Sequence, residues 1–221
     1  MTTFWAGPSC TMRWGMLGAD IVHLESTSRP DGTRLIAGIP PATVEQWWER
    51  SPPIFSALNT NKKSVTVDFQ TEAGRDVLRR LIAASDVVVE NFTPPRVIDQ
   101  LGLDFDAVRA LREDIVMVRM PGFGLQGPWR DNPAFAYIIE DASGLSWLTG
   151  YPDRPPRSSR TRWVIPTPGC TPSTPCCWRW STDAPRGQAV LVEAAMVDAA
   201  LNIAAEQVIE YSAYGGAAAA R

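Results

Sequence analysis

Apolar residues recur along the chain with two alternating periods. Short apolar runs rich in β-branched residues predict strands at 21–25, 64–68, 86–91, 115–119 and 189–193. The segments between them repeat apolar residues at helical spacing and predict helices at 9–17, 72–85, 105–112, 134–148 and 196–211. Strands that alternate with helices of this length predict an α/β fold with a doubly wound parallel sheet.

Local signals sharpen some of these elements. Thr71 and Asp104 each precede a predicted helix, and both are residue types that cap a helix N-terminus. The run 86–91 is almost continuously apolar, as expected for a strand that is buried on both faces of a parallel sheet. The long segment 26–56 is predicted to be a loop-rich connection.

Composition narrows the functional classes. The chain has 221 residues, of which 45% are hydrophobic, and its formal net charge is -3. Nucleic-acid binding is not expected, because it calls for a basic surface. No stretch approaches the ~18–20 uncharged apolar residues of a membrane span, and residues 1–19 lack the pattern of a secretory leader. The sequence therefore predicts a cytoplasmic protein that binds neither nucleic acid nor membrane.

A glycine-rich motif follows the strand predicted at 115–119. Gly122-Phe-Gly-Leu-Gln-Gly127 matches the G-x-G-x-x-G pattern of dinucleotide-binding proteins, which requires a helix to begin at that point. Pro128 follows instead, and Pro133 lies five residues further on. The motif therefore favours a turn whose backbone approaches a ligand closely.

Other reactive side chains carry weaker signals. His23 lies inside a strand and is predicted to be structural, since no nucleophilic constellation can be assembled around it. Cys170, Cys176 and Cys177 lack the spacing and the His of a zinc site, so no metal is expected. Asp153, judged from its surroundings alone, is a turn aspartate. The residues by themselves predict an α/β domain with a ligand site at the strand ends.

A series of short motifs runs through the chain at 6–11, 17–25, 58–64, 87–92, 101–103, 122–128, 143–145, 149–156, 186–190 and 197–202. Among them are Ala6-Gly-Pro-Ser-Cys-Thr11, Val87-Val-Val-Glu-Asn-Phe92 and Thr149-Gly-Tyr-Pro-Asp-Arg-Pro-Pro156. In order and spacing the series resembles the family III CoA-transferases, the group of formyl-CoA transferase and the carnitine and bile-acid CoA-transferases.

This resemblance implies a Rossmann-like large domain that transfers CoA between an acyl-CoA donor and a carboxylic acid acceptor. It places the catalytic aspartate at Asp153, a carboxylate nucleophile that carries CoA as a thioester. Family members form an interlocked homodimer and use CoA or acyl-CoA as substrate, without a metal. The positions that match the family's CoA-contacting segments are Trp5, Ala6, Asn91, Phe92, Gly122 and Phe123.

The sequence departs from the family pattern at some of its CoA contacts. A basic residue that often follows the first matching strand is Ser26 here, and a lysine that some members use before the glycine turn is Pro121. The CoA phosphates therefore need another partner. Arg96 is the candidate that the sequence offers.

Two alternatives to a working transferase remain. The related α-methylacyl-CoA racemases share the fold, but their proton-abstracting His matches Phe135 here, and this favours a transferase. The other alternative is an inactive CoA-transferase fragment. The family has a strand before residue 1 and a small domain beyond residue 221, so 1–221 is expected to be a partial large domain.

Segment 157–186 departs furthest from the family pattern. The family has a Leu/Ala-rich helix there, whereas prolines interrupt this chain at Pro166, Pro168, Pro172 and Pro175. A shifted reading frame of the back-translated segment restores the family pattern. The hypothesis is a pair of compensating frameshifts that leaves 157–186 non-native, and the alternative is a lineage-specific loop. Sequencing of the gene distinguishes the two.

Overall fold

Parallel strands form the framework of the fold. The computed structural model describes residues 1–26, 29–35, 52–149, 153, 155 and 187–215. Its strands are β1 Ile21–Glu25, β2 Lys62–Thr66, β3 Val87–Glu90, β4 Val116–Arg119 and β5 Val190–Glu193. Within this part of the chain, β1 pairs with β2, while β3, β4 and β5 form a second sheet in that order, and every pair is parallel. The predicted α/β class with parallel strands is confirmed.

Helices connect the strands. They are α1 Ala6–Met16, α2 Pro53–Leu58, α3 Glu72–Ala83, α4 Arg96–Gln100, α5 Phe105–Leu111, α6 Ala136–Ala142, α7 Leu145–Leu148, α8 Met196–Ile203 and α9 Ala205–Tyr214, with a 3-10 turn at Gly32–Arg34. Two predicted helices are each divided, the first between α6 and α7 at Gly144, whose φ is 79°, and the second at Ala204. Helices α2 and α4, of six and five residues, are additions that are too short for a helical period to show.

Local chemistry and sheet pairing set the ends of these elements. Thr71 and Asp104 each accept a hydrogen bond from the backbone N–H three residues later, at 3.0 and 2.9 Å, so both predicted caps are confirmed. Strand β2 begins before the predicted 64–68, because Lys62 pairs with Ile21 of β1. Pairing with a neighbouring strand decides this boundary, and residue propensity does not report it.

The second sheet is buried between two apolar clusters. Successive residues of β4 face opposite sides, so that Val116 and Val118 join one cluster and Met117 joins the other. The first cluster includes residues of α1, α6 and α8, namely Ala6, Cys10, Trp14, Ile139, Met196 and Ala200. The second includes residues of α3, α4 and α5, namely Leu78, Ile82, Ile98 and Val108. Helices therefore cover both faces, as a doubly wound sheet requires.

Two predicted segments lie wholly or partly outside the described residues. The segment 157–186, expected to be non-native, lies outside them. Within the predicted loop 26–56, the described residues contain the 3-10 turn and the beginning of α2. No helix in the described part of the chain has both the length and the apolar character needed to cross a membrane.

Candidate active site

A cavity of about 290 Å³ opens at the carboxyl end of β3. Its described lining comes from residues 3–6, 91–93 and 133–137, together with Met196 at the start of α8. The carboxyl ends of parallel strands are where ligand sites of α/β proteins occur. The lining includes Trp5, Ala6, Asn91 and Phe92, which are residues that the family resemblance marks as CoA contacts. The structure thus brings two distant segments of predicted site residues to one cavity.

The side chain of Asn91 joins these two segments. Its Oδ1 accepts the Thr3 N–H at 2.9 Å, and its Nδ2 donates to the Thr3 carbonyl at 2.7 Å. Both polar ends of the carboxamide are therefore bonded to one backbone residue. Asn91 holds the segment before α1 against the end of β3 and so shapes the cavity.

A buried ion pair lies beneath the Asn91 segment. Glu90 and Arg119 are register partners on β3 and β4, and Arg119 Nε donates to Glu90 Oε1 at 2.7 Å. Glu90 Oε2 accepts the Phe92 N–H at 2.7 Å, and Arg119 Nη2 donates to the Pro95 carbonyl at 2.9 Å. Burial raises the pKa of Glu90, although the Arg119 and Phe92 donors oppose the shift. The pair fixes the turn from Asn91 to Pro95 against the sheet.

Phe4 has an unusual backbone conformation at the cavity wall. Its φ of 63° lies in the left-handed region, which residues other than glycine seldom adopt. Asp31 Oδ1 accepts the Phe4 N–H at 3.2 Å, and the Phe4 ring packs over Gly32, where a Cβ would collide with it. The ring also meets Phe135 edge to face, with centroids 5.8 Å apart. Strain of this kind persists only where surrounding contacts determine it, so this wall is preset.

A buried polar cluster holds Asp31 in place. Thr33 donates to Asp31 Oδ1 through its N–H and its hydroxyl, at 2.8 and 2.7 Å. Arg34 donates to both oxygens of Glu25, at 2.9 and 2.7 Å, and Glu25 Oε1 accepts the Asp31 N–H at 3.3 Å. Burial lowers the pKa of the adjacent His23 to about 4, so this imidazole is neutral at pH 7. Its place in the cluster agrees with the structural role predicted for it.

The glycine turn lies behind the cavity wall. A Cβ on Gly122 would collide with the side chain of Ala134, which lines the cavity. The Gly122 carbonyl accepts the Val197 N–H at 3.0 Å. Phe123 packs edge to face on Trp129, with ring centroids 5.5 Å apart. Gly122 and Phe123 therefore support the cavity from outside its described lining.

Two predicted residues lie elsewhere. Arg96 is exposed at the first position of α4. Asp153 is exposed in a turn, and the residues on either side of it lie outside the described part of the chain. The roles given to Arg96 and Asp153 therefore stay predictions. In the described residues, no group of three or more His, Cys, Asp or Glu side chains is arranged to hold a metal ion.

The structure adds aromatic residues that sequence reasoning did not place in the site. Phe4, Phe135 and Tyr137 line the cavity together with Trp5 and Phe92. The sequence marks Phe135 only as the counterpart of the racemase His, and it gives Phe4 and Tyr137 no role. A left-handed φ at Phe4 has no signature in the sequence. Two aromatic residues separated by a single alanine, between the motifs at 122–128 and 143–145, were the available signal for Phe135 and Tyr137.

The family model of CoA-transferase family III matches residues 1–221, the whole of the chain. Solved structures agree with this match. A CAIB/BAIF family protein from Brucella suis superposes with a TM-score of 0.84 at 30% identity, over 98% of this chain and 56% of that one. Rv3272 from Mycobacterium tuberculosis has a TM-score of 0.81 at 25% identity, over 96% of this chain and 56% of its own. The chain belongs to CoA-transferase family III.

Curated relatives match a shorter part of the chain. The succinyl-CoA–D-citramalate CoA-transferase of Chloroflexus aurantiacus is 35% identical over 153 residues, which are 69% of this chain and 36% of that protein. A formyl-CoA:oxalate CoA-transferase of Streptomyces avermitilis is 36% identical over 156 residues, which are 71% of this chain and 36% of that protein. The chain thus covers about a third of the length of these relatives.

Proposed function

We propose that this chain carries the CoA-ester site of a CoA-transferase, in which Asp153 takes CoA from an acyl-CoA donor and passes it to a carboxylic acid. The observation that carries the proposal is the convergence of Trp5, Ala6, Asn91 and Phe92 on one cavity. These residues come from segments about 85 positions apart along the chain. Their meeting at the carboxyl end of β3 supports a ligand site there.

The chemistry of the cavity suits one part of a CoA ester. Every described lining residue is uncharged, and the volume of about 290 Å³ is at the lower end of the roughly 300–1,000 Å³ of ligand pockets. A diphosphate requires cationic or backbone N–H partners, so the cavity fits the thioester end of the ligand. Arg96 is exposed close to the cavity segment in sequence. It remains the proposed phosphate partner.

The proposed reaction needs no proton transfer. A carboxylate oxygen of Asp153 attacks the thioester carbonyl carbon, the C–S bond breaks, and CoA thiolate leaves behind a mixed anhydride. The thiolate attacks the aspartyl carbonyl carbon, the anhydride C–O bond breaks, and the donor carboxylate leaves. The acceptor carboxylate then repeats both steps in reverse. It leaves as its CoA ester and restores the Asp153 carboxylate.

Each of these steps develops an oxyanion on a carbonyl oxygen. Backbone N–H groups that are fixed in advance stabilise such charge most effectively, because they do not reorganise during the reaction. The turns that end β3 and β4 are fixed in this way, by the Glu90 and Arg119 pair and by the contacts of Gly122. Acyl-CoA and a carboxylate are the proposed small-molecule partners, and the proposed assembly is the interlocked homodimer of the family.

The racemase alternative finds no support at the cavity. Phe135 occupies the position that the resemblance matches to the proton-abstracting His, and it lines the cavity. A phenyl ring can neither accept nor donate the α-proton. The proposed activity is therefore CoA transfer and not racemisation.

A CoA-transfer assay tests the proposal. The 221-residue chain is given an acyl-CoA donor and a labelled carboxylate, and formation of the new CoA ester is followed by mass spectrometry. We expect turnover that disappears in Asp153→Asn and persists in Asp141→Asn, which changes an exposed acid of α6. Deuterium exchange at the acyl α-carbon without transfer would support the racemase. If a folded chain shows neither transfer nor exchange, the result would support the alternative of an inactive fragment.

A further inference from the structure

One side of the cavity is an aromatic wall made of Phe4, Phe135 and Tyr137. Phe4 meets Phe135 edge to face, and Phe135 stacks on Tyr137 with ring planes 7° apart and centroids 6.4 Å apart. Phe135 is 51% exposed and Tyr137 is 55% exposed, so the two rings still present apolar surface. Adjacent exposed aromatic residues at a concave site mark surface that a ligand covers.

Charge is missing from the described lining of the cavity. Among the described residues, Arg119 is bonded to Glu90, and Lys62 Nζ donates to the Pro8 carbonyl and to Asn59, both at 2.9 Å. Burial lowers the pKa of the Met1 amino group to about 5, so this group is neutral at pH 7. A ligand carboxylate that entered this cavity would lose water without gaining an ionic partner there. The lining therefore selects against a second carboxylate on the acyl group.

Two of the polar groups in the cavity lining are already used within the protein. The carboxamide of Asn91 is bonded at both ends to Thr3, and the Phe4 N–H is bonded to Asp31. The pantetheine arm of CoA contains two amides, and an apolar acyl group contains none. The aromatic wall is the better match for the acyl group, because an aromatic ring gains edge-to-face and stacked contacts there.

We propose that the cavity receives the acyl group of the CoA ester and selects an uncharged aryl acyl group over a dicarboxylic one. This inference rests on the proposed function, since it assigns a substrate class to the same site. The preference for an aryl acyl group would also distinguish this chain from relatives whose names specify succinyl-CoA, D-citramalate and oxalate. The preset conformation of Phe4 makes the wall available before the ligand arrives.

Calorimetric titration of the 221-residue chain with CoA, benzoyl-CoA and succinyl-CoA tests the inference. We expect benzoyl-CoA to bind about three- to ten-fold more tightly than CoA, the range set by an aromatic contact. Succinyl-CoA is expected to bind no more tightly than CoA. Phe135→Ala and Tyr137→Ala should each remove the advantage of benzoyl-CoA and leave CoA affinity unchanged.

Two further variants check this result, one as a control outside the cavity and one that should reverse the preference. Tyr214→Ala removes another exposed aromatic residue, 85% exposed on α9 and outside the cavity lining, and should leave all three affinities unchanged. Phe135→Lys places a cation in the wall and should give succinyl-CoA the advantage. Circular dichroism spectra should match those of the parent chain, since all three positions are exposed.

The outcomes separate this inference from the proposed function. Binding of CoA with equal affinities for the benzoyl and succinyl esters would overturn the aryl preference and leave the CoA site standing. The aryl preference would also be overturned if Phe135→Ala weakened the binding of CoA, benzoyl-CoA and succinyl-CoA equally, because the cavity would then hold the pantetheine arm. Absence of binding by every CoA species, in a chain shown to be folded, would overturn the proposed function itself.

Discussion

Both ends of the Asn91 carboxamide are hydrogen-bonded to the backbone of Thr3, although the family resemblance marks Asn91 as a CoA contact. Asp31 has a similar use, since its Oδ1 accepts the backbone N–H groups of Phe4 and Thr33. Polar side chains around the cavity are thus engaged in holding its walls. The surface that remains for a ligand is largely aromatic. This is the basis of the inferred preference for an aryl acyl group.

His23 makes one of these supports sensitive to acid. Burial, together with the positive charges of the Met1 amino group, Lys62 and Arg34, lowers its pKa to about 4, while Glu25 opposes the shift. Asp31 Oδ2 also faces His23 Nε2, at 3.9 Å. The folded pKa lies below the ordinary histidine value of 6.5, so the unfolded chain binds more protons between about pH 4 and pH 6.5. Stability therefore rises with pH across this window.

We expect His23→Gln to remove this part of the acid sensitivity. The parent chain should lose up to about 3 kcal/mol more stability than the variant between pH 6.5 and pH 4. His23 is the single histidine of the sequence, so the difference belongs to this residue. Urea unfolding at several pH values measures it. Parallel stability curves for the two proteins would show that His23 titrates normally and that the cluster does not bury it.

At the scale of elements, the cavity depends on how turns pack after the strands. The sequence predicts β1 at its observed bounds and both helix caps, because apolar alternation and capping chemistry are local signals. The divisions fall at Gly144, whose φ is 79°, and at Ala204, and the apolar period of the sequence shows neither of them. The cavity lining from 133–137 could not be predicted either. Its approach to residues 91–93 needs the whole sheet to be in place.

Gly122 offers a test of this packing. Gly122→Ala places a methyl group against Ala134, and we expect the chain to lose about 1–3 kcal/mol of stability through overpacking. Affinity for benzoyl-CoA should fall with it, because Ala134 lines the cavity that is proposed to receive the acyl group. Denaturant unfolding and calorimetric titration give the two readouts.

The matched control for this change is Gly15→Ala in α1. A Cβ there meets its nearest atoms at 3.5 Å, which is ordinary contact, so the change should be neutral or stabilise the helix. An unchanged stability in Gly122→Ala would contradict the described packing of the turn.

At the scale of the whole molecule, two apolar clusters sandwich the second sheet and leave its carboxyl edge open for the site. The fold class could be predicted from hydrophobic period, since burial on both faces demands continuous apolar strands such as β3. The family could be predicted from the order of short motifs, and the match over residues 1–221 confirms it. The aromatic wall could not be predicted, because it arises from a residue with a left-handed φ and from two segments that are distant in sequence.

The central claim is that this chain carries a CoA ester on Asp153. Peptide mapping by mass spectrometry, after incubation of the chain with an acyl-CoA and rapid quenching, tests it most directly. We predict a CoA thioester on the peptide that contains Asp153. The adduct should disappear with hydroxylamine and should be absent from Asp153→Asn. A chain that binds CoA yet forms no adduct, or that carries the adduct on another residue, would contradict the account.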